Sequence, residues 1–129
     1  MDADDLKRRT KKFALPILRL VEALPDTVQG KTVGGQLVRA GTSVGSNYRA
    51  ACRGRSRKEL ITKIGVVLEE ADERAFWLEL IIEGNLLKAE SVGPLLSEAN
   101  ELVRIMASSR ITASSRITAG SALGTQKSK

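Results

Sequence analysis

Residues 56–85, SRKELITKIGVVLEEADERAFWLELIIEGN, decide the fold. Ser56 followed three residues later by Glu59 is an S-x-x-E capping box, a helix-start signal in which two side chains satisfy backbone N–H groups that lack helical partners. From there Ile61, Leu68, Ala75 and Ile82 recur every seven residues, and Ile64, Ala71 and Leu78 form a second such series. Leu60, Val67 and Ile81 widen the stripe beyond a two-stranded seam to the face of a bundle helix. Gly84-Asn85 supplies the stop. From Glu59 to Glu83, Glu59, Glu69, Glu70, Asp72, Glu73, Glu79 and Glu83 stand against only Lys63 and Arg74, so this part of the helix is acidic.

Upstream the sign reverses. Residues 39–58, RAGTSVGSNYRAACRGRSRK, carry Arg39, Arg49, Arg53, Arg55, Arg57 and Lys58 and no acidic residue. Most of this stretch belongs to a second helix, expected over Thr32 to Arg55, whose seam is Val33, Leu37, Ala40, Val44, Asn47 and Ala51. Gly34, Gly35, Gly41 and Gly45 each weaken that helix by up to about 1 kcal/mol. Their compensation is close backbone approach to a neighbour, within the chain or between subunits. They do not form a phosphate loop, because no strand precedes them and no GxxxxGK[ST] is present.

Two further helices flank this pair. Leu6, Phe13, Ile17, Leu20 and Leu24 pattern a first helix over residues 4–24, with Pro16 expected to kink it or make Leu15 its weak point. Val92, Leu95, Leu96, Ala99, Leu102, Val103 and Met106 pattern a fourth, expected to be capped by Ser91 with Pro94 in its first turn. Residues 107–119 then repeat as ASSRITA-SSRITA, and a Ser/Thr/Gly-rich end follows. The expectation is an all-α, antiparallel up-down four-helix bundle over 1–112, with a disordered tail over 113–129.

A net charge of +6 and a pI near 9.8 point to an anionic partner, nucleic acid ahead of a membrane surface. The chain has no histidine, which removes His-based acid–base catalysis and metal ligation. Glu69, Glu70, Asp72 and Glu73 therefore lack the Glu-x-x-His spacing of a di-metal bundle. Ser43, Tyr48 and Cys52 have no evident general base, so none reads as a nucleophile. A single cysteine, Cys52, fits a reducing compartment and serves as a small packing residue. No secretory core or membrane-spanning run is visible. The expectations are a cytoplasmic protein that is not an enzyme, with no cofactor, no metal, no membrane and no small-molecule substrate.

With helices two and three placed, residues 42–81 show a family likeness, in TSVGSNYR, SRKELITKIGVVLEEADE and FWLEL. They resemble the four-helix bundle proteins encoded within 23S rRNA intervening sequences. These in turn resemble the accessory variability proteins of diversity-generating retroelements. The resemblance runs from about Leu6 to Ile111 and implies a ring-like homopentamer without enzymatic activity. For the retroelement relatives it implies a basic surface that binds nucleic acid and a reverse transcriptase. Where relatives carry an acidic residue in an NYREA-like segment, this chain has Ala50, which leaves the second helix more basic.

The candidate nucleic-acid contacts, RNA or DNA, are Arg39, Arg49, Arg53, Arg55, Arg57 and Lys58, since clustered arginines bind phosphates with little dependence on sequence. The competing role is a solvated face whose arginines pair with acids of the third helix or of another subunit. Lys7, Arg8, Arg9, Lys11 and Lys12 form a second basic cluster, balanced by Asp2, Asp4 and Asp5. The alternative function is a protein-binding scaffold whose charged faces join subunits or recruit a partner such as a reverse transcriptase.

Overall fold

The structure, a computed structural model, describes the backbone of residues 1–127 and the side chains of residues 1–115. It contains α1 (Ala3–Glu22), α2 (Val28–Cys52), α3 (Arg57–Glu83) and α4 (Ala89–Lys127), and no strand among the described residues. Successive helices run antiparallel. Along α2, Gly34, Gly41 and Gly45 approach Val21, Ile17 and Thr10 of α1 in turn. Arg39 and Ser43 of α2 reach Glu73 and Glu70 of α3, also in descending order. Helix α4 packs on α3 and touches α1, so α1 lies diagonally opposite α3, and α2 opposite α4. This is the expected up-down four-helix bundle.

Local chemistry explains three of the helix starts. Asp2 caps α1 in a reciprocal capping box with Asp5, and the Thr27 hydroxyl accepts from the Gly30 N–H at the start of α2. At α3 the Ser56 hydroxyl accepts from the Glu59 N–H at 3.1 Å, as the box requires. The Glu59 carboxylate instead accepts from the Arg55 N–H, one residue before the cap, at 3.0 Å. The stop of α3 is a Schellman turn: Asn85 N–H donates to the Ile82 carbonyl and Leu86 N–H to the Ile81 carbonyl. Asn85, at φ 55°, takes the left-handed conformation rather than Gly84. Asparagine tolerates that region better than most side chains.

Ile17, Leu37, Val44, Leu78, Ile81, Leu102 and Met106 are fully buried at the centre. Each such side chain contributes about 1.5–3 kcal/mol by leaving water. The glycine seam lies within the chain. A Cβ on Gly41 would stand 2.8 Å from Ile17 Cγ2, and one on Gly45 would stand 3.5 Å from the Thr10 and Lys11 backbone. Gly35 faces open space and has no such role.

Several boundaries differ from expectation. Helix α1 ends at Glu22, two residues before the expected Leu24, and includes Pro16. Helix α2 starts at Val28 and ends at Cys52, which moves Arg55 into the turn before α3. Helix α4 starts at Ala89, so Ser91 is not its cap and Pro94 falls in the second turn. No break marks residue 112: Ala113 is buried, and α4 continues as one helix to Lys127. The side chains of the expected tail from residue 116 onward, and the backbone of 128–129, lie outside the described residues.

Candidate nucleic-acid interface

The outward face of α2 consists of Thr32, Gly35, Arg39, Thr42, Ser46, Arg49 and Arg53, all exposed and spaced by threes and fours. It contains no carboxylate. Arg49 and Arg53 stand one turn apart near its C-terminal end, where Arg55, Arg57 and Lys58 follow in the turn and the first residues of α3. All five are exposed. Among the described residues, none of these five side chains is in an ion pair.

Arg39 is different. It lies ten residues before Arg49, about 15 Å along the helix at 1.5 Å per residue. Its guanidinium donates to the Glu73 carboxylate and to Gln36 Oε1. Glu70 accepts from the Ser43 hydroxyl and the Asn47 amide. Two acids of α3 are thus turned inward onto the same chain's α2, while Glu69 and Asp72 remain exposed. The structure gathers five of the six candidates at one end of the bundle and holds the sixth in an internal pair.

A cavity of about 1070 Å³ opens at that same end. Arg55 and Arg57 lie on it, as do Leu60 and Ile64 of α3, Ile105 of α4 and Tyr48 of α2. Burial is the main cause that pushes the Tyr48 hydroxyl well above its usual range, with a hydrogen bond to the Cys52 side chain second. Cys52 is a free, half-buried thiol on the cavity wall, packed against the core. Arg104 of α4, absent from the sequence-based candidates, reaches the cavity while paired at 2.7 Å with Glu101.

The second basic cluster is largely engaged. Lys7 pairs with Asp4, Arg8 with Asp5, and Arg9 makes a two-pronged contact with Glu98 of α4 at 2.7 Å for both bonds. The Arg9 hydrogen bond holds the Glu98 carboxyl below its ordinary range. Lys11 and Lys12 are exposed.

The residue that sequence reading missed most clearly is Arg74. It is 0% exposed, and none of its three guanidinium nitrogens has a hydrogen-bond partner. It lies 4.3 Å over the Phe13 ring, a cation–π contact that offsets part of the desolvation. Burial lowers its pKa to about 10, opposed by the charge of Glu98. Its spacing could have revealed it, because Ile64, Val67, Ala71, Arg74, Leu78 and Ile81 form one run of threes and fours.

Comparison with curated proteins finds no match. Among solved structures, a crystal structure from Bacteroides thetaiotaomicron, described as a protein of unknown function from the S23 ribosomal protein family, is similar at a TM-score of 0.77 and 29% identity. The similarity covers 85% of this chain and 98% of that one. The family model for the 23S rRNA-intervening sequence protein matches residues 4–108, most of the chain and all the bundle segments that carry the features above, and the protein belongs to that family.

Proposed function

We propose that the protein is a non-enzymatic, cytoplasmic accessory factor that binds RNA or DNA mainly through phosphate contacts, as a ring-like homopentamer. The observation that carries this reading is the group Arg49, Arg53, Arg55, Arg57 and Lys58: five exposed cations at one end of the bundle without an ionic partner among the described residues. Elsewhere Arg8, Arg9, Arg39 and Arg104 are paired with carboxylates, while exposed Arg19 and Arg110 stand apart from the cluster and are in no ion pair among the described residues. Unpaired guanidinium groups are free to take phosphates and release counterions, which binds any sequence and weakens with salt. A ring would repeat the cluster and multiply weak single-subunit contacts.

A second reading is a scaffold that assembles subunits or recruits a protein such as a reverse transcriptase. It is favoured by the Arg39–Glu73 pair, which has α2 arginines serving α3 acids. One experiment separates the two. Electrophoretic mobility shifts of parent and Arg49→Ala/Arg53→Ala/Arg55→Ala are followed from low to moderate salt, with light scattering on the same samples. Phosphate binding requires affinity that drops steeply with salt and is lost in the triple variant while the oligomer persists. Equal binding by parent and variant removes the cluster from the site, and dissociation of the variant oligomer favours the scaffold.

A further inference from the structure

The cluster described above is proposed to hold phosphates, and the cavity beside it has a second character. Half-buried Leu60 and Ile105 give it an apolar floor, with buried Ile64 beneath, while Arg55, Arg57 and Arg104 line it from two different helices and the turn between α2 and α3. Its volume of about 1070 Å³ reaches the upper end of ordinary small-ligand pockets, about 300–1,000 Å³. A base stacked inside a duplex presents only its edge and cannot reach such a floor. An unpaired base can turn onto an apolar surface while its own phosphates stay outside; single-strand sites join a basic groove to aromatic platforms, and here aliphatic side chains take the platform's place. Glu101 and Asp2 also line the cavity. Glu101 faces Arg104, so that cation is already half-neutralised, and Arg55 and Arg57 supply the uncompensated charge.

We propose that this end cavity seats one unpaired nucleotide of a single strand, with the base on Leu60 and Ile105 and the flanking phosphates on Arg55, Arg57 and Arg104. The assignment rests on the nucleic-acid reading and narrows its substrate to single strands or to duplexes with an unpaired end. It also gives Arg104 a role outside the cluster that sequence reading selected. Leu60 is half-buried on α3 and lines the cavity without belonging to the core, so Leu60→Ala removes part of the floor and leaves the bundle intact.

The test uses fluorescence anisotropy with labelled oligonucleotides of about 12 nucleotides, within the span single-strand sites cover, as a single strand and as a blunt duplex. Parent, Leu60→Ala, Arg104→Ala and Arg49→Ala/Arg53→Ala are compared, with circular dichroism confirming equal helicity. The expected result is tighter binding of the single strand by the parent. Leu60→Ala should weaken that binding by about fivefold, the low end of one base contact, and leave duplex binding within about twofold. Arg104→Ala should also weaken the single strand more than the duplex, whereas Arg49→Ala/Arg53→Ala should weaken both alike. If duplex binds as well as single strand, or Leu60→Ala lowers both equally or neither, the cavity assignment is overturned and phosphate binding by the cluster stands. If the parent binds neither oligonucleotide, both readings fall together.

Discussion

Arg74 places a full positive charge among Phe13, Ala71 and Leu78, with no hydrogen bond to any of its nitrogens. Burying such a charge costs several kcal/mol, and replacing it with an apolar side chain of similar length is often stabilising. Glu98, the acid whose charge it feels, is already held by Arg9, so removing Arg74 orphans no carboxylate. Arg74→Met should therefore raise the unfolding free energy by about 1–3 kcal/mol in urea titration. The pH dependence has a definite sign. The folded pKa of about 10 lies below the ordinary arginine value of the unfolded chain, so the penalty is fully present below pH 10 and is relieved as pH rises above it. Parent and Arg74→Met should thus differ most near neutrality and converge in strong alkali. Glu98 behaves in the opposite sense. Its folded pKa is depressed below 4.5, so the Arg9 pair stabilises fully above pH 4.5 and is lost as pH falls through the lower folded value. Arg9→Ala should be less stable than parent at pH 7 and equal to it once Glu98 is protonated in both, as read from urea curves across that range. Arg74 was legible in its spacing, yet residue type outweighed position and it was counted with the surface charges. The Glu70 contacts to Ser43 and Asn47 were not legible at all, because one helix's period says nothing about its register against the next.

At the scale of elements, periodicity and caps were enough to place four helices, and Ser56 marks the start of α3 where it was expected. Ends were harder. The second helix was expected from Thr32, but Thr27 captures the Gly30 N–H and starts α2 at Val28. The glycines of α2 showed that something approaches closely without showing what. The partner is α1, at Gly41 against Ile17 and Gly45 against the Thr10–Lys11 backbone. The three glycines should therefore respond differently to one change. Gly35→Ala meets open space and should stabilise the protein by up to about 1 kcal/mol through helix propensity. Gly41→Ala puts a methyl 2.8 Å from a carbon of fully buried Ile17, and the strain should outweigh that gain, with a net loss of about 1–3 kcal/mol. Gly30→Ala would bring its Cβ within 2.0 Å of the Pro25 carbonyl oxygen and should distort the α1–α2 turn. Thermal unfolding of the three variants under one condition checks the order Gly35→Ala above parent, then the other two below it.

At the scale of the whole molecule, two diagonal helices present unlike outer faces. Helix α1 exposes Leu15 and Leu18 among Lys11, Lys12 and Arg19, and α3 exposes Val66, Phe76 and Leu80 among Glu69, Glu79 and Glu83. Faces that differ on opposite sides of a subunit favour head-to-tail contacts, which close into rings when the rotation allows. A ring built this way would bury both leucines against Phe76 and set lysines against glutamates, leaving the α2 end with its unpaired arginines outside the contact. Under the proposed assembly, Phe76→Lys should place a cation against a basic neighbour and yield monomers in light scattering. Leu15→Glu should do the same from the other side, and the two together should recover the oligomer, since each supplies the charge the other lacks. Both positions are exposed, so helicity should stay at the parent level throughout. Monomers keep all five unpaired cations and lose only repetition, so their affinity for a long strand should fall by at least about a hundredfold, the low end of what linked sites gain. Their affinity for a strand that spans one subunit should not change. Assembly and phosphate binding then separate experimentally: Phe76→Lys abolishes the first and retains single-site binding, whereas Arg49→Ala/Arg53→Ala/Arg55→Ala does the reverse. If the arginine variant dissociates and Phe76→Lys does not, the basic end is itself the subunit contact, and the unpaired arginines serve neighbouring carboxylates rather than phosphates.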